Sequence, residues 1–223
     1  MAEGAAPSGS APLARVAAWL DGAPPRWAFH GGWALDAWAG APTRPHEDVD
    51  VAVDRQAASA VLDRLQGAGV EVAWAAPEAQ RSGAPRRRRV GEAPRDDVHQ
   101  AHARLGDVRV DVVLEPWTDA AWRYRRAPTI ELPLERALRS VRVAGLELPV
   151  LAPAAVLLFK ATTVDGTRSR PKDDLDLERV RAKLALEDVA WLRAALEAVA
   201  PGHPWYAPGG PLARALPGSA ARP

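Results

Sequence analysis

Apolar residues recur with helical spacing in several stretches of the chain. In the first, Leu13, Val16, Ala17 and Leu20 follow an i, i+3, i+4, i+7 pattern and would share one face of a helix. Asp54 is predicted to cap a later helix, which Gly67 closes. The first helix is predicted to span 13–20. Further helices, delimited by glycine and proline residues, are predicted at 33–39, 154–163, 173–184 and 187–199.

Shorter segments alternate between apolar and polar residues and predict β-strands. Val108, Val110 and Val112 alternate with Arg109 and Asp111, so Asp111 should lie on the opposite face from its valine neighbours. The predicted strands span 27–29, 49–53, 70–74, 98–105, 108–114, 140–143 and 146–150. The last four would form two hairpins, one around Gly106-Asp107 and one around Ala144-Gly145.

The order of these elements predicts an α+β fold, with a small mixed sheet flanked by helices and a small C-terminal helical region after it. We predict a disordered lead over 1–12, an α/β domain over 13–150 and a helical subdomain over 151–200. The Pro/Gly-rich segment 201–223 is expected to be a loosely held tail.

Composition narrows the function classes further. The 223 residues contain no cysteine, which excludes disulfides, thiolate zinc sites and a cysteine nucleophile, and fits a cytoplasmic protein. A net charge of +1 gives no global argument for binding nucleic acid or membranes. No apolar run approaches the roughly 20 residues of a membrane helix, so no membrane partner is expected.

Three carboxylates stand out on the predicted strands. Asp48 and Asp50 are two residues apart and should point to one face, where their charges repel unless a cation lies between them. Asp111 would be the third carboxylate of this cluster if its strand lies beside the strand 49–53. Carboxylate oxygens suit hard cations such as Mg²⁺, and three acids can hold two ions for a displacement at phosphorus.

The glycine pair Gly31-Gly32 follows a strand and precedes a helix. Glycines there let a phosphate approach backbone N–H groups at the positive end of a helix. Lys160, Arg170 and Lys172, from the helical region, supply further positive charge.

Each feature alone also has an ordinary structural explanation. A glycine pair is commonly a turn, and Asp-x-Asp or Asp111 can belong to a solvated strand face. His46 could be a simple loop residue, and His99 and His102 are expected on the surface of the hairpin. The conjunction of glycines and acids favours a site for a nucleoside triphosphate and its metal.

These residues resemble the polymerase-β-like nucleotidyltransferase superfamily, and within it the aminoglycoside 2″-adenylyltransferase and lincosamide nucleotidyltransferase group. The resemblance covers roughly 25–205. It is carried by the segments 31–36, 43–50, 110–117, 159–160 and 170–177, which include Gly31-Gly32-Trp33 and His46-Glu47-Asp48-Val49-Asp50.

The resemblance implies transfer of a nucleoside monophosphate, AMP from ATP, to a hydroxyl, with two Mg²⁺ ions. It assigns Asp48, Asp50 and Asp111 as metal ligands and catalytic residues, with Asp111 ligating metal or acting as general base. The nucleotide-binding residues that it implies are Gly31, Gly32, Trp33, Arg44, His46 and Lys172. It gives no oligomeric state.

The acceptor remains open at this point. The acceptor could be a small molecule such as an antibiotic. An acidic pocket would suit such an acceptor, and its wall could include Glu115, Trp117, Asp119 and Glu131. The insert 77–97 has six arginines against four acids, which fits a solvated loop, a lid or a contact for RNA. A macromolecular acceptor (tRNA or protein) and a non-catalytic nucleotide-binding relative are therefore alternatives.

Overall fold

The computed structural model describes residues 11–24, 26–76, 84–163 and 168–213. Within these ranges the protein has the predicted α+β fold, with a mixed eight-stranded sheet and flanking helices. The helices are α1 (Ala11–Leu20), α2 (Gly31–Ala39), α3 (Ala58–Gly67), α4 (Leu134–Ala137), α5 (Pro153–Ala161), α6 (Pro171–Val180) and α7 (Leu186–Val199), with a 3₁₀ turn at Arg181–Lys183. The strands are β1 (Trp27–Phe29), β2 (Val49–Asp54), β3 (Glu71–Trp74), β4 (Arg86–Arg87), β5 (Gln100–Leu105), β6 (Val108–Glu115), β7 (Ala121–Arg123), β8 (Glu131–Pro133), β9 (Leu138–Val143) and β10 (Leu146–Leu151).

The main sheet has the strand order β4-β3-β5-β6-β2-β1-β10-β9, and β7 pairs with β8 in a separate ribbon. Strand β2 runs parallel to β6, and β1 runs parallel to β10, while the other neighbours are antiparallel. The parallel register places Asp50 directly opposite Asp111. The two predicted acids therefore lie side by side near the middle of the sheet.

Helices cover the central strand β2 from two sides. Helix α1 packs with α3, and α2 packs with α5 and α6; both groups contact β2. Val49, Val51, Ala52 and Val53 are buried as a result. No helix in the described part of the chain has the length and apolarity needed to cross a membrane.

Both predicted hairpins are present, but the starts of α2 and α3 differ from the prediction in ways that matter for the glycine pair and for Asp54. Helix α2 begins at Gly31, so both glycines belong to its first turn. Helix α3 begins at Ala58 and has no side-chain cap. Asp54 instead ends β2 and is buried in an ion pair with Arg26, because the last strand residue points into the core.

The described part of the arginine-rich insert is mostly exposed and irregular, as a solvated loop would be, but a short strand and one buried arginine depart from that expectation. Arg86 and Arg87 form β4, which pairs with β3. The side chain of Arg88 is fully buried; its guanidinium bonds to Asp63 at 2.6 Å and lies 5.5 Å from the Trp74 ring centre. Residues 77–83 of the insert lie outside the described residues.

The predicted loose tail is also packed over 201–213. Trp205 is 2% exposed, and its indole N–H donates to Asp174 of α6 at 2.6 Å. His203 and Leu212 are buried beside it. Trp205 and Leu212 bury apolar surface although prolines and glycines surround them. The segment 201–213 is therefore part of the packed helical region. Residues 1–10 and 214–223 lie outside the described residues.

Candidate active site

A polar cleft of about 450 Å³ lies where the sheet meets α2 and the start of α6. The residues that line it are Gly32, Arg44, Pro45, His46, Glu47, Asp48, Asp50, Arg109, Asp111, Lys160, Arg170 and Lys172. Most of the site residues predicted from the sequence are thus brought together. A cavity of about 560 Å³ between α1 and the β9–β10 hairpin is mainly apolar, and its charged lining residues are Asp21 and Glu147.

The three acids lie along one edge of this cleft. Asp50 lies within β2, Asp48 comes just before that strand, and Asp111 is the cross-strand partner of Asp50 on β6. Within the described ranges, however, no three His, Asp or Glu side chains are arranged to hold a metal ion. The metal ligation of these acids therefore stays a prediction.

Burial and neighbouring charges act differently on the two paired acids. Desolvation raises the pKa of Asp50, and the carboxylates of Asp48 and Asp111 add to the rise. Burial also pushes the pKa of Asp111 upward, but hydrogen bonds from His102 and Arg109 outweigh it and hold that pKa below its ordinary value. The charges of His30 and Lys160 oppose the rise at Asp50 without cancelling it, so Asp50 is the less compensated of the two acids.

Two partners of the acids were missed in the sequence. His102 Nδ1 lies 2.9 Å from Asp111 Oδ1, whereas His102 was expected to be a plain surface residue. Arg109 Nη2 donates to Asp48 Oδ2 at 3.0 Å and to Asp111 Oδ2 at 3.3 Å. Counting back from the Gly106-Asp107 turn pairs His102 with Asp111, and Arg109 shares the face of Asp111, so both signals were available.

The strand-to-helix turn before α2 depends on Gly31. Its φ is +65°, and a Cβ there would overlap the Asp50 carboxylate, coming within 2.7 Å of Cγ. Its N–H donates to Nδ1 of the preceding His30, at 2.5 Å. Gly31 therefore brings the helix start against Asp50, while Gly32 is the glycine that lines the cleft.

Arg44 and His46 hold the loop that leads into β2. His46 Nε2 lies 2.6 Å from Asp36 Oδ2, and Arg44 donates to both carboxylate oxygens of Asp176 at 3.1 Å. A Cβ on Gly32 would overlap the His46 ring and come within 2.8 Å of Arg44 Nη2. Gly32 thus allows this loop to lie over the start of α2.

The cations of the cleft differ in how firmly they are held. Lys160 is buried and bonds to Asp173 at 3.1 Å and Asp176 at 2.8 Å. Arg170 bonds to Asp173 at 2.7 Å. Lys172, exposed in the first turn of α6, makes no ion pair with any residue in the described part of the chain. It is the cation best placed to meet an incoming anion.

Several predicted residues lie elsewhere. Trp33 was predicted to bind nucleotide, but it is 8% exposed and packs against the His46 ring, with 4.7 Å between ring centres. Glu115 is fully buried and accepts a hydrogen bond from the Trp122 indole, and it lies 3.5 Å from His30. Asp119 pairs with Arg26 at 2.8 Å, and Glu131 pairs with Arg123 at 2.7 Å. The acidic acceptor pocket that these residues suggested is therefore not formed from them.

Residues 12–180 match the family model described as aminoglycoside-2″-adenylyltransferase. The match includes Asp48, Asp50, Asp111 and Lys172, so it covers the cleft as well as the sheet. No curated protein matches the chain.

Two solved structures show a similar fold. The crystal structure of ANT(2″)-Ia in complex with adenylyl-2″-tobramycin is 19% identical, with a TM-score of 0.60, and the similarity covers 86% of this chain and 98% of that one. Lincomycin-bound LnuA, a lincosamide antibiotic adenylyltransferase, is 15% identical, with a TM-score of 0.53, covering 77% of this chain and 95% of that one. At these identities the likeness is one of fold.

Proposed function

The chain belongs to the aminoglycoside-2″-adenylyltransferase family and is a nucleotidyltransferase, and from this premise we propose that it transfers AMP from ATP to a hydroxyl of an aminoglycoside antibiotic. One observation carries the proposal: Asp48, Asp50 and Asp111 meet in a cleft that Lys172 and the glycine-led start of α2 also line. The structural relatives were solved with an adenylylated aminoglycoside and with a lincosamide, which supports a small antibiotic as the acceptor.

The donor chemistry follows from the residues of the cleft. Lys172 is placed to bind a phosphate, and α2 directs its positive end toward the same region. The oxygens of Asp48, Asp50 and Asp111 suit a divalent cation, and the pKa of Asp50 is raised first by burial and then by the neighbouring carboxylates of Asp48 and Asp111. Mg²⁺ held by these three acids would neutralise charge on the triphosphate.

The acceptor hydroxyl must lose a proton as it attacks the α-phosphorus and pyrophosphate leaves. We propose that Asp111 accepts this proton. Hydrogen bonds from His102 and Arg109 hold its pKa below the ordinary value, so the carboxylate is ionised at neutral pH. His102 orients the carboxylate through its 2.9 Å contact.

The test measures pyrophosphate release from ATP with Mg²⁺, in the presence and absence of tobramycin and of lincomycin. Mass spectrometry of the antibiotic should show one added AMP group. We expect release that depends on the aminoglycoside and falls at least about a hundredfold in Asp48→Asn and Asp111→Asn. Asp107→Asn, at an exposed turn of the same hairpin, is the matched control and should retain activity.

Binding of ATP without transfer to either antibiotic would contradict the acceptor assignment. Absence of ATP binding, measured by calorimetry with Mg²⁺, would contradict the proposed reaction itself.

The alternative of an RNA acceptor rested on the arginine run. Arg86 pairs with Glu92, and Arg88 is buried. Two of the four arginines in the run 86–89 thus serve structural ion pairs, while Arg87 and Arg89 are exposed, so the run does not single out a macromolecular acceptor.

A further inference from the structure

Arg109 occupies the space between two of the three cleft acids. A single guanidinium nitrogen, Nη2, bonds to Asp48 at 3.0 Å and to Asp111 at 3.3 Å. A cation that bridges these two carboxylates through the same Oδ2 atoms would compete with this guanidinium.

Pairing within the sheet does not explain this position. Arg109 lies directly opposite Arg104 across β5 and β6, and like charges at such positions destabilise a sheet. The contacts of Arg109 with Asp48 and Asp111 compensate for this repulsion between like charges. Its pKa is raised by Asp111 first, and by Asp48 and Asp50 as well.

Arg109 is also held much more loosely by burial than Lys160, the most buried cation of the cleft. Its side chain is 48% exposed, whereas that of Lys160 is 8% exposed and bonded to two buried acids. A guanidinium binds phosphate oxygens as readily as carboxylate oxygens. A triphosphate in the cleft would therefore offer Arg109 an alternative partner close by.

We propose that Arg109 is a displaceable counter-ion that couples metal binding to nucleotide binding. In the free protein its guanidinium holds Asp48 and Asp111 and competes with a divalent cation for them. When the triphosphate enters, Arg109 moves to a phosphate oxygen and the two carboxylates become available. The coupling rests on the proposed function, since it requires a nucleoside triphosphate as the ligand.

The competition is tested with metal alone. Mn²⁺ is titrated into metal-free wild type and Arg109→Gln, and free Mn²⁺ is followed by electron paramagnetic resonance. We expect the variant to bind Mn²⁺ about tenfold more tightly, a typical size for coupling between sites. Arg104→Gln is the matched control: it removes an equal charge from the exposed position directly across the hairpin and should change the affinity little.

The coupling is tested by repeating the titration with a non-hydrolysable ATP analogue. The analogue should raise the Mn²⁺ affinity of the wild type much more than that of Arg109→Gln. Should Arg109→Gln fail to fold, Arg109→Met gives the same test with an uncharged chain of similar length.

Equal Mn²⁺ affinity in wild type and Arg109→Gln, or an equal gain in Arg104→Gln, would overturn the competition. An equal effect of the analogue on both proteins would overturn the coupling. If the analogue binds to neither protein, the proposed function fails and the coupling with it, while the titration with metal alone still decides whether Arg109 competes.

Discussion

Asp50 and Asp111 face each other across two parallel strands, yet their surroundings differ in charge. Asp111 has His102 and Arg109 as partners, whereas desolvation and its fellow acids dominate at Asp50. The two side chains should therefore respond to pH in opposite ways, and this can be measured on the metal-free protein.

The pKa of Asp50 is raised in the folded state, so the folded protein binds more protons there than the unfolded chain does. Stability is then lost as pH rises from the ordinary carboxyl range through the raised pKa. Asp50→Asn removes this penalty, so at pH 7.5 in EDTA it should melt at a higher temperature than the wild type, with the difference shrinking toward pH 4.

Asp111 has a lowered pKa, so its stabilisation is present above the ordinary carboxyl range and is lost as pH falls through the lowered value. Asp111→Asn should therefore melt below the wild type at pH 7.5, measured alongside Asp50→Asn. If both variants shift the melting temperature in the same direction, the two environments are not opposed as described.

Gly31 is a glycine at which both the backbone conformation and the available space oppose a side chain. Gly31→Ala combines a positive φ with an overlap between the new Cβ and Asp50. Gly40→Ala has a similar φ of +82° with nothing within 4 Å, so it serves as the matched control for backbone strain. Urea unfolding should show Gly31→Ala to be less stable than Gly40→Ala by about 1–3 kcal/mol, the usual cost of overpacking. Equal losses would mean that Asp50 can move aside.

Among the elements, the described part of the arginine-rich insert is attached to the sheet edge by the pairing of β4 with β3 and by one buried side chain, that of Arg88. Arg88 bonds to Asp63 and, through its Nε, to the Glu92 carbonyl at 3.1 Å, and it lies over Trp74. Neighbouring arginines differ sharply from it: the side chain of Arg87 is 83% exposed and lies 3.9 Å from Glu71.

Arg88→Ala should lower the free energy of unfolding by on the order of 3 kcal/mol, because it removes a buried ion-pair partner and its ring contact. Arg87→Ala should change it by less than about 0.5 kcal/mol. Urea denaturation of both variants measures this. If both variants change the free energy of unfolding by a similarly small amount, the Arg88 side chain contributes no more to stability than a solvated one.

The elements that the sequence predicted well are those with a clear period and clear turn residues. The β5–β6 hairpin follows from Gly106-Asp107 and the alternating valines, and α7 follows from its apolar stripe. Strands β7 and β8 have only three residues each, too few to show a period. The burial of Arg88 depends on Asp63 and Gln66 of α3, more than twenty residues away, which no local pattern reveals.

The same limit applies to the candidate site. The acids and glycines could be identified because their spacing is local, and Lys172 because it matches a family motif. Trp33 was assigned to the nucleotide by the family resemblance, and the helix turns its side chain toward His46. Arg109 was read only as an alternating strand residue, because its partner Asp48 lies in the loop before β2, far along the chain.

At the scale of the whole molecule, the helical region is fastened to the sheet by both apolar and charged contacts. All of α5 except Phe159 is buried, and Lys160 and Arg44 both reach Asp176 on α6. The boundary predicted near residue 150 therefore separates two halves of the chain that share one core.

A chain that ends after Leu151 should accordingly fail to fold cooperatively, since it would expose the faces that pack against α5. Thermal unfolding followed by near-ultraviolet circular dichroism would show no sharp transition. A cooperative melt of that fragment would instead show that the α/β half is an independent domain.

Because β2 lies inside the sheet, with β6 on one side and β1 on the other, its amide hydrogens are held by neighbouring strands rather than by any ligand. Protection from hydrogen exchange is greatest in such central strands, which open only when the whole protein opens. The backbone that carries Asp50 therefore belongs to the last part of the protein to come apart. Heat should therefore disrupt the backbone around Asp50 only at the global melting transition.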